Sequence, residues 1–97
     1  MQVTVRFFTV LREITEKQEE TLHFAKTEKV TVNTILRRLG DRYGKMFADY
    51  VYDQQSGAVK GFLQFFINGQ SASAFNGLET QLQEGDILAI VPPVGGG

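Results

Sequence analysis

The sequence has 97 residues, of which 42% are apolar and 22% are charged, and it contains no cysteine. This length accommodates one domain with a modest core, and the composition is that of an ordinary globular protein rather than a disordered one. Its net charge of -1 supplies no broad cationic field and so disfavours nucleic acid or anionic lipid as a partner, and the lack of cysteine excludes disulfides, thiolate metal sites and a cysteine nucleophile.

The first quarter of the chain predicts a β-hairpin. Val3, Val5 and Phe7 alternate with other side chains over Gln2 to Val10, which is the period of a half-buried strand. That alternation differs from the apolar core of a signal peptide, and no run of about 18 apolar residues follows, so we expect a cytoplasmic protein without a membrane partner. A second strand is predicted over residues 18–24.

The clearest predicted element is an amphipathic helix. Thr31 is a good N-cap, and Gly44 ends the pattern. The apolar positions between them follow helical spacing and are Val32, Ile35, Leu36, Leu39 and Tyr43. The opposite face carries Arg37, Arg38 and Arg42, for which a solvated surface and the docking of an acidic partner are the two alternatives.

The middle of the chain is less regular. Residues 45–61 contain apolar side chains without clean periodicity, so we expect short strands or irregular structure, with an exposed turn at 53–57. Phe62–Ile67 predicts a strongly apolar strand. Asn68-Gly69 is typical of a type I′ hairpin turn, which leads here into residues 70–72.

The last part of the domain completes the predicted sheet. Residues 78–82 fit one helical turn, and Glu84-Gly85-Asp86 fits a tight turn. Ile87–Val91 is an almost continuous apolar run, typical of a central strand buried on both faces, and we place it parallel to the first strand. The order of elements predicts an α+β protein with a β-grasp (ubiquitin-like) fold, in which one main helix crosses a mixed sheet of four or five strands. We assign residues 1–91 to this domain and residues 92–97 to a tail.

The polar side chains of the domain do not indicate catalysis or metal binding. His23 is the single histidine and has no evident nucleophile as a partner, so we expect a cross-strand or surface role. The acidic residues are spread over turns and solvent faces, which does not fit a metal site. Lys60-Gly61-Phe62 is similar to the start of an RNA-recognition signature, but Leu63 and Gln64 replace its small residue and its stacking aromatic.

The tail, Pro92-Pro93-Val94-Gly95-Gly96-Gly97, is the most distinctive segment. Pro92 and Pro93 lack N–H groups, so they end the sheet after Val91 and direct the chain outward in an extended form. Six residues at about 3.3 Å each reach roughly 20 Å, enough to enter a channel in a partner. Glycine has no Cβ and lets a catalyst approach closely, so the C-terminal carboxylate of Gly97 is the candidate reacting group on a flexible tail. A disordered terminus or a cloning remnant is the alternative.

Several short blocks in order along nearly the whole chain carry a family resemblance. They are Val5-Arg6-Phe7-Phe8, Leu11-Arg12-Glu13, Val30-Thr31-Val32, Ile67-Asn68-Gly69, Leu82-Gln83-Glu84-Gly85-Asp86 and Ile90–Gly97. On these blocks the sequence resembles the ubiquitin-like sulfur-carrier family, most closely the small subunit of molybdopterin synthase (MoaD), and it is similar also to ThiS and to small archaeal modifier proteins. Gly95 stands where the family often has alanine, and residues 45–61 form a longer segment than in its compact members.

The resemblance implies a function for the tail. An adenylyltransferase of the ubiquitin-activating class, MoeB-like or ThiF-like, would use ATP to adenylate Gly97, and sulfur would then be installed as a thiocarboxylate. The chain would itself bind no cofactor, because ATP and the sulfur donor act through that enzyme. As the non-catalytic small subunit of molybdopterin synthase it would bind the MoaE-like large subunit and donate sulfur to a pterin precursor, in molybdenum or tungsten cofactor biosynthesis.

Two other functions remain open at this point. The same activated glycine can be conjugated to lysines of target proteins, as the resemblance to small archaeal modifier proteins implies. Alternatively, the domain is a β-grasp binding module whose tail is incidental.

The alternation of side chains along the strands also predicts a partner surface. If Val3, Val5 and Phe7 face the helix, then Phe8 points to the open face of the sheet. Phe62, Phe66 and Val91 are expected on that face as well. We expect Phe8, Phe66 and Val91 to dock the activating enzyme or the large synthase subunit, with Arg12 at the rim, unless other segments cover them.

Overall fold

The computed structural model describes residues 1–93, which form a five-stranded mixed sheet and three helices. In chain order the elements are β1 (Gln2–Phe7), α1 (Val10–Thr15), β2 (Glu19–His23), α2 (Val32–Tyr43), α3 (Lys45–Val51), β3 (Gln64–Ile67), β4 (Gln70–Ser71) and β5 (Ile87–Val91). Two short 3-10 turns, Ala72–Ala74 and Gly77–Glu79, lie between β4 and β5.

The last strand, β5, lies at the centre of the sheet, in the order β2-β1-β5-β3-β4. It runs parallel to β1, with Phe7 opposite Ile90, and antiparallel to β3, with Gln64 opposite Val91. The predicted central position and parallel pairing of this strand are therefore confirmed, as is the β-grasp fold. Because β1 and β5 end where β3 begins, these three termini share one end of the sheet, which we call the tail end.

The core lies between one face of the sheet and the helices. Alternate residues of the strands point into it and are buried, among them Val5 of β1, Phe65 of β3 and Ile90 of β5. The other residues of β5, including Ala89 and Val91, are only half-buried. The prediction that β5 is buried on both faces is therefore wrong, because within residues 1–93 the second face of this strand is left partly exposed.

The structure confirms the predicted amphipathic helix and its caps. The Thr31 side chain accepts a hydrogen bond from the Thr34 backbone N–H, and the Thr34 side chain accepts one from the Thr31 N–H, which together form a capping box. The apolar stripe of α2 is fully buried from Val32 to Leu39 at its helical positions. Gly44 ends the helix with a φ of 78°, a conformation that glycine adopts without strain.

The first strand is shorter than predicted, because the chain leaves the sheet at Phe7 and not at Val10. Thr9 has φ 49° and ψ -122°, values typical of the first central position of a type II′ turn, and the Leu11 N–H closes that turn on the Phe8 carbonyl at 3.1 Å. The chain then forms α1, which buries Leu11 and Thr15 four residues apart. Burial of these two side chains in the core overrides the weak strand pattern.

The prediction for residues 45–61 is wrong in its first half, since Lys45–Val51 forms the helix α3. Phe47 and Val51 lie four residues apart and are completely buried, while Met46 is exposed. The second half matches the prediction. A turn at 53–57 is closed by the Gly57 N–H on the Asp53 carbonyl at 2.7 Å, and Tyr52 and Val59 form an isolated bridge.

The turn before β4 was predicted correctly, whereas the helical turn after β4 and the start of β3 were not. Asn68 and Gly69 have φ values of 50° and 84°, so the type I′ hairpin is confirmed. The helical turn expected at 78–82 is instead a 3-10 turn at Gly77–Glu79. The strand β3 begins at Gln64 and not at Phe62, because the Leu63 N–H closes a turn on the Lys60 carbonyl at 3.2 Å.

Candidate functional site

The tail leaves the domain at the tail end of the sheet. Val91 is the last residue of β5, as predicted from the two prolines that follow it. Pro92 is buried against the domain, whereas Pro93 is exposed. The remaining predicted tail residues, Val94, Gly95, Gly96 and Gly97, lie outside the described residues, and the reacting role of Gly97 stays a prediction.

Phe8 and Arg12 lie beside the root of the tail. The Arg12 Nε donates a hydrogen bond of 2.9 Å to the carbonyl of Phe7, the last residue of β1. Its guanidinium carbon lies 5.3 Å from the centre of the Phe8 ring, within the range of a cation–π contact. Phe8 is half-buried and Arg12 is exposed, so both present surface next to the point where β5 ends.

The open face of the sheet carries Phe66 and Val91 close to this pair. Phe66 lies opposite Ala89 of β5, two residues before Val91, and both Phe66 and Val91 are half-buried. Side chains two residues apart on a strand share one face, so Phe66 and Val91 are neighbours on the tail half of the open face. Their predicted role in partner binding stays a prediction.

Phe62 does not lie with these residues. It precedes β3, and its ring centre lies 5.8 Å from that of Tyr50, on α3. The predicted position of Phe62 on the open face is therefore wrong. The cause is the turn before β3, which interrupts the two-residue alternation on which that prediction depended.

A small cavity of about 230 Å³ brings two arginines together on the open face. Arg6 and Arg12 both line it, together with Phe8 and Glu19. The Arg6 Nε lies 3.7 Å from Glu19 Oε1, so one of the two cations has a partial counterion. The rim of the predicted partner surface is therefore basic on the side that adjoins the root of the tail.

A second apolar surface at the tail end was missed by the sequence analysis. It is a groove of about 480 Å³ between α1 and α3, which we call the α1–α3 groove. Its apolar lining residues are Val10, Ile14, Met46 and Tyr50, and its polar lining residues are Glu13, Asp49 and Lys60. The sequence signal for the two helices that form this groove is a four-residue spacing of buried residues. Leu11 with Thr15, and Phe47 with Val51, each indicate one buried helical turn.

The electrostatics of the α1–α3 groove follow from its contacts. A hydrogen bond of 2.6 Å from the Lys45 ammonium lowers the pKa of Asp49 from its ordinary value. The Lys60 ammonium donates to the Asp49 carbonyl at 2.9 Å and lies 5.9 Å from the Phe62 ring centre. Burial raises the pKa of the Tyr50 hydroxyl above its ordinary value.

A further cleft, of about 520 Å³, lies beside β3. Its lining comes mainly from β3, the segment before it and the two 3-10 turns, and among these described residues Lys60 is the only charged one. Among the described residues, no cluster of charged side chains lines the cleft to indicate a particular ligand.

The arginines of α2 mainly contact their own domain. Arg38 lies 4.4 Å from the Phe24 ring centre and donates a hydrogen bond of 3.1 Å to the His23 carbonyl. Arg42 pairs with Glu20 at 2.7 Å. Within residues 1–93 neither Arg37 nor Arg38 forms an ion pair, and of these two only Arg37 is exposed.

The described part of the chain contains neither a candidate metal cluster nor a helix able to span a membrane. Within residues 1–93, no group of three His, Asp or Glu side chains is arranged to hold a metal ion. None of the helices in this range has the length and apolarity required to cross a membrane. His23 is exposed on the edge strand β2, opposite Gln2 of β1.

The central parallel β5, the single long helix across the sheet and the Pro-Pro sequence after the last strand define a ubiquitin-like β-grasp protein. Residues 5–97 match the model of the family described as the ThiS family. The chain therefore belongs to the ThiS family of ubiquitin-like sulfur carriers.

Individual relatives agree with this assignment. The chain is 29% identical to small archaeal modifier protein 3 of Haloferax volcanii, over all 97 residues and the full length of both proteins. It is similar to the solution structure of small archaeal modifier protein 1 from Methanosarcina acetivorans, with a TM-score of 0.80 and 31% identity over 99% of this chain and 96% of that one. The crystal structure of SAMP1 from Haloferax volcanii shares the fold, with a TM-score of 0.83 and 23% identity over 100% of both chains.

Proposed function

We propose that this protein is a sulfur carrier whose reacting group is the C-terminal carboxylate of Gly97. The observation that carries the proposal is the match to the ThiS family, which continues through residue 97 and so includes the glycine tail. The geometry supports it, because β5 ends at Val91 and Pro93, two residues later, is exposed at the tail end of the sheet.

The chemistry requires activation of the carboxylate. A carboxylate is a poor electrophile until it carries a leaving group. An adenylyltransferase of the ubiquitin-activating class transfers AMP from ATP to Gly97 and releases pyrophosphate. Sulfide from a donor then attacks the carbonyl carbon and displaces AMP, which leaves a thiocarboxylate. The carrier needs no catalytic side chain, since the enzyme supplies the nucleotide site.

The acceptor we favour for the sulfur is a pterin precursor held by a large subunit similar to that of molybdopterin synthase. In this role the protein is the non-catalytic small subunit of the complex. Phe8, Phe66 and Val91 on the open face would contact the activating enzyme and the large subunit, with Arg12 at the rim. Their half-buried side chains and their position beside the tail support this use.

Intact mass spectrometry tests the activation step. The chain, with no tag at its C-terminus, is incubated with ATP, sulfide and a ThiF-like adenylyltransferase from the same organism. The expected product is heavier by the difference between sulfur and oxygen, and a chain with an amidated Gly97 gives no product. Equal sulfur incorporation into the amidated chain would contradict the assignment of the reacting group.

The relatives favour a second candidate function, conjugation to other proteins. Two of them are named as small archaeal modifier proteins and match along almost the whole chain. In this function a lysine amine attacks the activated Gly97 carbonyl, and an isopeptide bond forms. Digestion of cell proteins and a search for glycine remnants of the tail on lysines distinguishes conjugation from sulfur transfer. A protein that still performs its task without Gly96 and Gly97 would support neither function and would favour the binding module.

A further inference from the structure

We propose that the α1–α3 groove is a second docking surface, which takes an apolar side chain from a cation-bearing segment of the enzyme that receives the tail. This inference rests on the proposed function, because it assumes that an enzyme activates the tail. It concerns a different part of the molecule from the open face, on the other side of the C-terminal end of β1.

Exposed apolar side chains are concentrated at this groove. Among residues 1–93, four large apolar side chains are strongly exposed, and three of them lie in or beside the α1–α3 groove: Val10 at 39%, Met46 at 68% and Phe62 at 45%. Phe62 joins the groove through its ring contact with Tyr50. The fourth, Phe75 at 51%, does not line it. A contiguous apolar patch of this kind on a small domain indicates an interaction site.

The groove lies where an enzyme that takes the tail has to approach. Val10 begins α1 three residues after β1 ends, and Phe62 lies two residues before β3 begins, so both are at the tail end of the sheet. Four residues follow Pro93, and at about 3.3 Å each they reach at most roughly 13 Å. An enzyme whose active site receives Gly97 therefore contacts the tail end itself, and the groove is within the area that it covers.

The groove is preformed by contacts with the core. Phe47 and Val51, on the inner side of α3, are completely buried and hold this helix in place. The Lys60 ammonium ties the segment before β3 to α3 through its hydrogen bond to the Asp49 carbonyl. A preformed apolar pocket loses little conformational entropy when a side chain enters it, which favours its use as an anchor site.

The charges around the groove indicate the chemistry of the partner. Asp49 is neutralised by Lys45, and the Lys60 ammonium is held by the Asp49 carbonyl and the Phe62 ring. Glu13 is exposed and forms no ion pair with any described residue. Lys60 keeps its positive charge, but Glu13 is the one charged lining group without an ion pair, hydrogen bond or ring contact among residues 1–93, so its carboxylate is the group available to a partner. A Lys or Arg next to the apolar anchor of the partner would complement it.

Steady-state kinetics of tail activation test the proposal. ATP–pyrophosphate exchange is measured with the organism's separately purified ThiF-like adenylyltransferase and the untagged chain as substrate. The double variant Val10→Ser with Met46→Ser is expected to raise KM for the chain at least tenfold, with kcat unchanged because Gly97 is intact. Glu13→Lys is expected to raise KM about threefold or more. Urea unfolding verifies that each variant is folded.

Matched controls come from the same chain. Phe75→Ser removes an apolar side chain whose exposure lies between those of Val10 and Met46, and Glu28→Lys reverses an exposed charge in the β2–α2 loop, so both should leave KM unchanged. An unchanged KM for the double variant, with exchange by the wild-type chain, overturns the docking surface but not the proposed function. A wild-type chain that supports no exchange overturns both. If light scattering shows a wild-type dimer that the double variant converts to a monomer, the groove is a contact between copies and the proposal is wrong.

Discussion

Arg12 caps the end of the strand next to the tail: its Nε donates a 2.9 Å hydrogen bond to the carbonyl of Phe7, where β1 ends beside Ile90 of β5. This bond gives the part-buried Phe7 carbonyl a hydrogen-bond donor at the end of the strand, and it holds the guanidinium over the Phe8 ring. Arg12 thereby joins the structure of the tail end to the surface predicted to bind partners.

Replacement of Arg12 separates these two roles. Arg12→Ala removes one hydrogen bond to a part-buried carbonyl, so the free energy of unfolding in urea should fall by about 1 kcal/mol. Affinity for the adenylyltransferase, measured by calorimetry, should fall by about tenfold. Arg37→Ala, on the exposed face of α2, is the control and should change neither quantity. Unchanged affinity for Arg12→Ala would remove Arg12 from the partner surface.

The backbone at Thr9 predicts a stabilising substitution. Its positive φ is unfavourable for a β-branched residue, and its side chain makes no capping hydrogen bond. Thr9→Gly relieves this strain, and after the entropy cost of glycine in the unfolded chain the net gain should be about 1 kcal/mol in urea unfolding.

Gly85→Ala is the matched experiment in the opposite direction. Gly85 has a φ of 81° in the turn before β5, and a Cβ there would meet no other atom within 4 Å. The backbone alone therefore determines the outcome, and we expect a loss of about 1 kcal/mol. If Thr9→Gly destabilised the protein as much as Gly85→Ala does, the inference that the backbone is strained at Thr9 would be wrong.

Phe47 is buried and Met46 is exposed on α3, so substitutions at these adjacent residues should differ strongly in their effect on stability. Phe47→Ala removes a completely buried ring and should lower the free energy of unfolding by about 3–5 kcal/mol. Met46→Ala, one residue earlier, should change it by less than about 0.5 kcal/mol because that side chain is largely exposed. Equal effects at the two positions would contradict the orientation of α3.

The raised pKa of Tyr43 predicts that the protein loses stability in strong alkali. Burial, followed by its hydrogen bond to Glu20, raises the pKa of Tyr43 to about 12 from about 10 in the unfolded chain. Because the folded protein holds this proton more tightly, the contribution is complete below about pH 10 and is lost as the pH rises towards about 12.

The measurement is the free energy of unfolding in urea between pH 9 and 12, a range of about three units around these pKa values. Tyr50 and Tyr52 also have raised pKa values, so wild type is compared with Tyr43→Phe to isolate one residue. The variant should lose less stability than wild type over this range. Parallel pH profiles for the two proteins would exclude a contribution from Tyr43.

The elements that the sequence predicted correctly are those with local signals. Thr31 caps the start of α2 with its side chain, and Gly44 ends the helix because glycine adopts a positive φ without strain. Asn68-Gly69 tolerates two positive φ values in succession. The helices α1 and α3 were missed because each has only two deeply buried positions, which is too few for a recognisable period.

The candidate site also combines features that the sequence predicts with features that only the tertiary structure shows. The sequence by itself predicts the tail as the reacting segment, since proline and glycine act through their backbones, and it determined that Phe66 and Val91 share a face, since strand parity is local. Only the tertiary structure decided that Phe62 leaves that face for Tyr50 and that Val10 and Met46 meet across a groove. The reason is physical: these contacts join segments far apart in the chain, and burial of Leu11, Phe47 and Val51 in a common core brings them together.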